Sequence, residues 1–118
     1  MFKRLEREEE LAVFLAQNQK QVRLVKFSAE WCPPCRELKE NLKELIKENS
    51  QVAILEVDVG EFRNSLSELC REISQLTQQS EFQVSALPTL LLFRPSSTEA
   101  EKKVGLQSLP QLKKWVKE

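Results

Sequence analysis

Two cysteines separated by two prolines, Cys32-Pro33-Pro34-Cys35, have the spacing of a redox-active dithiol. An apolar run at residues 22–27 precedes them and a helical pattern follows at once, so we expect the pair between a strand and a helix. Prolines fit the first helical positions, where no N–H is needed. Cys32 is then the N-cap, and its sulfur faces free amides that include the N–H of Cys35. Such donors stabilise a thiolate, which predicts Cys32 as the nucleophile and the deeper Cys35 as the resolving thiol.

The composition is that of an ordinary globular chain: 118 residues, 41% hydrophobic and 31% charged. Its formal net charge is zero, which points to neither nucleic acid nor an anionic membrane as a partner. No apolar run approaches a membrane span, and the first ten residues lack the apolar core of a signal peptide. We therefore expect a single domain over residues 1–118 and a cytoplasmic location. In that reducing compartment a Cys-x-x-Cys pair is more often catalytic than structural.

Apolar patterns of strand and helix period alternate along the chain. They predict strands at residues 1–5, 22–28, 52–59, 89–93 and 102–106. They predict helices at residues 6–20, 33–49, 61–79 and from Ser108 onward, where Pro110 fits the first turn. Strands alternating with helices, followed by a β-hairpin and a closing helix, predict an α/β sandwich with a mixed sheet.

The helix predicted at residues 61–79 carries a continuous apolar stripe at spacings of four and three residues. The stripe consists of Phe62, Leu66, Leu69, Ile73 and Leu76. Cys70 lies at its edge, and we interpret this thiol as a small buried hydrophobe. A regulatory or dimer-forming thiol is the alternative.

Four segments, in the right order along nearly the whole chain, resemble the thioredoxin family. They are VKFSAEWCPPC at residues 25–35, LEVDV at 55–59, ALPT at 86–89 and KVG at 103–105. The resemblance implies the thioredoxin fold, with helices on both faces of a central mixed sheet. It also implies reduction of disulfides in protein substrates by dithiol–disulfide exchange. A thioredoxin-reductase-type flavoprotein drawing on NADPH would restore the dithiol, and the protein would act as a monomer without a bound cofactor.

The resemblance also assigns a substrate-binding surface. Pro88 matches the family's cis-proline, which lies against the active-site disulfide. Leu87 would supply the backbone that pairs with an extended substrate, and Trp31 would form part of a flat apolar rim. With Pro33 and Pro34 between the cysteines, these residues make up the expected substrate-binding set.

Four features depart from typical thioredoxins. Pro33 replaces a glycine, Glu40 replaces a helix-kinking proline, and Lys26 replaces a buried aspartate. About thirteen residues are inserted between Asp58 and Pro88, and the unbroken apolar stripe predicts that they lengthen the third helix.

Lys26 lies in a strand with apolar neighbours, where an unpaired ammonium would be costly. Its side chain either extends to the surface or pairs with Glu56 on the neighbouring strand. We favour the pair, and we predict that Lys26 and Glu56 tune the ionisation of the cysteines.

Other functions are compatible with the same residues. A zinc knuckle needs four ligands, and it is disfavoured because the chain has only three cysteines and no histidine. A disulfide oxidase or isomerase would differ from a reductase in reduction potential, which the Pro-Pro dipeptide does not settle. Lys26 and the insertion give some support to an interaction module with weak redox activity. We predict a protein-disulfide reductase.

Overall fold

The computed structural model describes residues 1–79 and 81–118, and its strands form one mixed sheet. The strands are β1 (Phe2–Arg4), β2 (Val22–Ser28), β3 (Val52–Asp58), β4 (Thr89–Phe93) and β5 (Ala100–Val104). They lie in the order β1-β3-β2-β4-β5. β1 and β2 run parallel to β3, whereas β4 is antiparallel to β2 and β5 is antiparallel to β4. The predicted mixed sheet is confirmed.

Helices cover both faces of this sheet. They are α1 (Glu10–Gln17), α2 (Pro33–Glu48), α3 (Leu66–Thr77) and α4 (Leu109–Lys117). α1 and α3 pack on the face that carries Val25 and Phe27, and α2 and α4 pack on the face that carries Leu24 and Ile54. Both faces of β2 are therefore buried, as expected for a central strand with apolar residues on both sides.

The alternation of side chains along the strands determines where the charged residues lie. Lys26 shares the α2 face of β2 with Leu24, and Glu56 shares the corresponding face of β3 with Ile54. The parallel register places Lys26 directly beside Glu56. The two charged side chains are thus brought together beneath α2, the helix that begins with the cysteine pair.

Two elements differ in their bounds from the prediction. α1 is shorter than residues 6–20, because the carboxylate of Glu10 accepts the backbone N–H groups of Glu6 (2.8 Å) and Arg7 (3.2 Å) in a turn before the helix. β5 lies two residues earlier than predicted. Its pairing with β4 ends at Val104, and the following Gly105 has a φ of 94°, which turns the chain away.

The third helix is confirmed, but its predicted bounds were wrong at both ends. It has 12 residues, Leu66–Thr77. Its start is delayed because Asp58 Oδ1 accepts the N–H groups of Gly60 (2.8 Å) and Glu61 (3.2 Å), which holds the chain in turns. It ends where Gln78 adopts a left-handed φ of 54°. Residues 81–88 then reach β4 without helix or strand, so the inserted length is only partly helical.

The last residue of the predicted apolar stripe is not buried. Leu76 is 41% exposed, although we expected it on the buried side, whereas Cys70 is only 7% exposed. The interpretation of Cys70 as a small buried hydrophobe is confirmed. Throughout the part of the chain that the structure describes, no helix is both long enough and apolar enough to cross a membrane.

Candidate active site

The cysteine pair lies at the start of α2, directly after the carboxyl end of β2. Cys32 is the N-cap of the helix, and Pro33 and Pro34 occupy its first two positions. The backbone N–H of Cys35 donates to the sulfur of Cys32 over 3.3 Å. The predicted capping arrangement is confirmed, and it aims the positive end of the helix at the outer sulfur.

Cys32 and Cys35 are joined by a disulfide bond, with their Cα atoms 5.2 Å apart. Cys35 is 1% exposed, whereas Cys32 is 9% exposed. Cys32 is therefore the more accessible sulfur of the pair. This difference in burial is the one expected between an attacking and a resolving thiol.

A small apolar cluster surrounds the disulfide. Ala29 packs with the two cysteines, and Leu87 lies against this cluster. The Leu87–Pro88 peptide bond is cis, as the resemblance implied. Leu87 therefore lies beside the pair, and Pro88 follows it in sequence.

The remaining members of the predicted substrate-binding set lie on the surface next to Cys32. Pro33 and Pro34 are exposed, and the side chain of Trp31 is 67% exposed. An indole that exposed is not a core residue, which is consistent with a recognition surface.

Beneath the disulfide, Lys26 and Glu56 form the predicted buried ion pair. Lys26 is 1% exposed, and its Nζ donates to Glu56 Oε2 over 2.8 Å. The side chain of Lys26 therefore does not reach the surface. The second oxygen, Glu56 Oε1, lies 3.4 Å from Lys39 Nζ and 3.8 Å from Arg4 Nη1.

This cluster has more positive than negative charge, and the pKa values of both Lys26 and Glu56 are lowered. Burial lowers the pKa of Lys26, and the nearby Lys39 and Arg4 add to that effect, although the hydrogen bond to Glu56 opposes it. Burial alone would raise the pKa of Glu56, but Lys26 and Lys39 outweigh it, so its pKa lies below the usual value. Glu56 is thus a firmly ionised carboxylate, and Lys26 is an ammonium that is less costly to deprotonate than usual.

A pocket of about 290 Å³ connects this charge cluster with Cys35. Its lining includes Cys35, Lys26, Glu56, Lys39 and Asp58. Groups that can donate or accept protons therefore share one space with Cys35, whereas Cys32 is not part of this lining. In the described part of the chain, no group of three or more His, Cys, Asp or Glu side chains is arranged to hold a metal ion.

The sequence reasoning missed two residues of this cluster. Lys39 follows Cys35 by four positions on α2, so the helical period could have identified it. Arg4 was harder to identify from the sequence, because its proximity to Glu56 depends on the parallel register of β1 with β3. No short-range sequence pattern predicts that register.

Comparison with known proteins identifies the family. The thioredoxin family model matches residues 4–118. The chain belongs to the thioredoxin family. The thioredoxin of Chlamydia trachomatis is 34% identical over 93 residues, which cover 79% of this chain and 78% of that protein. The thioredoxin of Rickettsia conorii is 31% identical over 94 residues, covering 79% and 76%.

Solved thioredoxin structures share the fold. A thioredoxin variant from Halobacterium salinarum matches with a TM-score of 0.74 at 28% identity, covering 98% of this chain and 88% of that one. The thioredoxin of Schistosoma mansoni matches with a TM-score of 0.71 at 26% identity, covering 98% and 93%. The predicted thioredoxin fold and family are confirmed. This thioredoxin-family protein is a protein-disulfide oxidoreductase that works by dithiol–disulfide exchange, with Cys32 and Cys35 as its redox pair.

Proposed function

We propose that the protein works as a reductase of protein disulfides, with Cys32 attacking and Cys35 resolving. The Cys32 thiolate attacks one sulfur of a substrate disulfide, and the other substrate sulfur leaves as a thiolate. Cys35 then loses its proton and attacks the Cys32 sulfur of the mixed disulfide. The substrate leaves as a dithiol, and the Cys32–Cys35 disulfide remains. The observation that carries these roles is the N-cap position of the more exposed Cys32 above the buried Cys35.

The proposed substrate site surrounds the outer sulfur. The exposed Trp31, Pro33 and Pro34 form an apolar rim, and Leu87 and Pro88 form the opposite side of the site. A peptide held in extended form against the backbone of Leu87 would bring its disulfide to Cys32. Such a site suits many protein substrates, because backbone pairing does not depend on the side-chain sequence.

Lys26 and Glu56 have a proposed role in the resolving step. The pocket that they share with Cys35 gives the thiol proton a polar route away from the sulfur. A protonated Lys26 stabilises a Cys35 thiolate through its charge. Glu56 keeps Lys26 in place through the 2.8 Å hydrogen bond and is itself held ionised by the surrounding cations.

The proposed working state is a monomeric single domain, residues 1–118, in the cytoplasm. A flavoprotein of the thioredoxin-reductase type would return electrons to the Cys32–Cys35 disulfide, using the same accessible sulfur as the substrate. Membership in the thioredoxin family supports this partner.

Reduction of insulin by dithiothreitol tests the proposed reductase activity. The wild-type protein should accelerate precipitation of the insulin B chain, and Cys32→Ser should abolish the acceleration. Cys70→Ser is the matched control, because it removes a buried thiol outside the pair and should leave the rate unchanged. Failure of the wild-type protein to accelerate the reaction would contradict the proposal.

A further inference from the structure

The outer edge of the Trp31 indole lies against Gly60. A Cβ atom built at Gly60 would lie 3.1 Å from Cζ3 and 3.6 Å from Cη2 of the indole. The first distance is shorter than ordinary van der Waals contact between carbon atoms. A side chain at position 60 would therefore require the outer edge of the indole to move by a few tenths of an ångström.

The backbone conformation at position 60 does not require glycine. Its φ lies outside the left-handed region that favours glycine, unlike Gly105 with its φ of 94°. A Cβ at Gly105 would have no neighbour within 4 Å, whereas a Cβ at Gly60 would also lie 3.0 Å from Asp58 Oδ1. The absence of a side chain at Gly60 therefore leaves room for both the Asp58 carboxylate and the Trp31 indole.

The turn that presents Gly60 is held in place from two directions. Asp58 Oδ1 accepts the N–H groups of Gly60 and Glu61, while Asp58 Oδ2 lies 3.3 Å from Arg4 Nη2. The backbone N–H of Phe62 bonds to the Asp58 carbonyl over 3.2 Å, and the Phe62 side chain is buried in the core. The turn that contacts Trp31 is therefore held in place by the fold and is not a free loop.

Arg4 joins this turn to the chain that leads into Trp31. Its Nη2 lies 2.5 Å from Glu61 Oε1 on one side and 3.8 Å from Glu30 Oε1 on the other. Glu30 immediately precedes Trp31. One guanidinium thus lies between the turn and the residue that precedes Trp31.

We propose that Gly60 and Arg4 are positioning residues for Trp31, which hold its indole at the angle needed to receive substrate. Gly60 leaves space for the ring edge, and Arg4 fixes the turn of residues 58–61 relative to Glu30. This inference rests on the proposed role of Trp31 in substrate binding. Neither residue touches the reacting sulfurs, so both act on substrate affinity rather than on the exchange chemistry.

The test is Gly60→Ala, assayed with insulin as the substrate. The methyl group should displace the indole and raise KM roughly three- to tenfold while kcat stays near the wild-type value. The indole N–H signal of Trp31 in a ¹⁵N–¹H spectrum should shift, and that of the buried Trp115 should not. The urea midpoint should change little, because alanine restricts the unfolded chain whereas its methyl group crowds Asp58 Oδ1 in the folded state.

Two further variants separate the inference from the role of Trp31 itself. Phenylalanine lacks the outer ring that meets Gly60, so Gly60→Ala should have no added effect on KM in a Trp31→Phe background. Arg4→Gln should raise KM with insulin, and Lys3→Gln on the same strand should not. If Trp31→Phe alone leaves KM unchanged, the proposed substrate role of Trp31 fails. If Trp31→Phe raises KM but Gly60→Ala changes neither KM nor the Trp31 signal, the positioning inference fails.

Discussion

Replacing Glu56 with leucine should destabilise the protein much more than replacing Lys26 with methionine. The two losses of stability differ because Glu56 has three cationic neighbours, whereas Lys26 has one anionic partner. Glu56→Leu leaves the buried Lys26 ammonium without an acceptor and with two cations, Lys39 and Arg4, still nearby. Lys26→Met leaves the Glu56 carboxylate with both of those cations, at 3.4 Å and 3.8 Å.

The size of the loss can be bounded. Removing one partner of a buried ion pair typically costs about 3–5 kcal/mol. Lys26 can limit the cost by releasing its proton, and from an unfolded pKa of about 10.4 this release costs about 4.6 kcal/mol at pH 7 and about 1.9 kcal/mol at pH 9. We therefore expect Glu56→Leu to cost about 3–4.6 kcal/mol at pH 7. For Lys26→Met we expect a smaller loss of stability, about 1–2 kcal/mol, because Lys39 and Arg4 still neutralise the Glu56 carboxylate. Their compensation is incomplete because both cations are partly exposed.

The sign of the pH dependence follows from the same proton. In Glu56→Leu, the folded state holds the Lys26 proton less tightly than the unfolded state does. Between the lowered folded pKa and the unfolded pKa, the unfolded state therefore binds more protons, and the stability of this variant should rise with pH across that window.

Urea unfolding of the oxidised proteins at pH 7 and pH 9 measures both effects. The double variant Lys26→Met with Glu56→Leu is the control, since an apolar pair of similar volume should recover stability to within about 1 kcal/mol of wild type. Equal losses of stability for the two single variants would show that Lys39 and Arg4 do not compensate Glu56. A loss for Glu56→Leu that is the same at both pH values would show that Lys26 keeps its proton in that variant.

Three further predictions concern the same residues and Cys70. Lys26→Met should slow release of the reduced substrate from the mixed disulfide more than it slows the initial attack, as measured by stopped-flow; equal effects on both steps, or none, would remove Lys26 from the mechanism. Because the pKa of Glu56 is lowered in the folded state, wild-type stability should fall as the pH drops below the unfolded value of about 4.3, and Lys26→Met with Glu56→Leu should lack this part of the fall. In the oxidised protein Cys70 should react with a disulfide reagent only after denaturation, because it is buried and burial raises its pKa; rapid reaction in the native state would contradict this.

The parts of the site that local chemistry determines could be predicted from the sequence. The N-cap position of Cys32 follows from a strand, two prolines and a helical pattern in direct succession. The Lys26–Glu56 pair was also predictable, because an ammonium in a central strand needs a partner and the neighbouring strand offered one carboxylate at the same depth. The cis bond before Pro88 was implied only by resemblance to the family.

What the sequence could not provide depended on contacts between distant segments. Arg4 reaches the Asp58–Glu61 turn only through the pairing of β1 with β3. The start of α3 was misplaced because the apolar stripe continues through Phe62, which is buried although it precedes the helix. Apolar periodicity identifies burial, but it cannot distinguish a helix from a series of turns that buries the same side chain. The contact between Gly60 and Trp31 likewise joins two loops that carry no common pattern.

Trapping the mixed disulfide shows most directly whether Cys32 is the attacking thiol and Cys35 the resolving thiol. Cys35→Ser and Cys32→Ser proteins would each be reduced, mixed with insulin, quenched with acid and mapped by mass spectrometry. We expect a stable mixed disulfide between Cys32 and insulin in the Cys35→Ser protein, with little or none at Cys35 in the Cys32→Ser protein. A mixed disulfide that forms faster at Cys35 than at Cys32 would reverse the two roles.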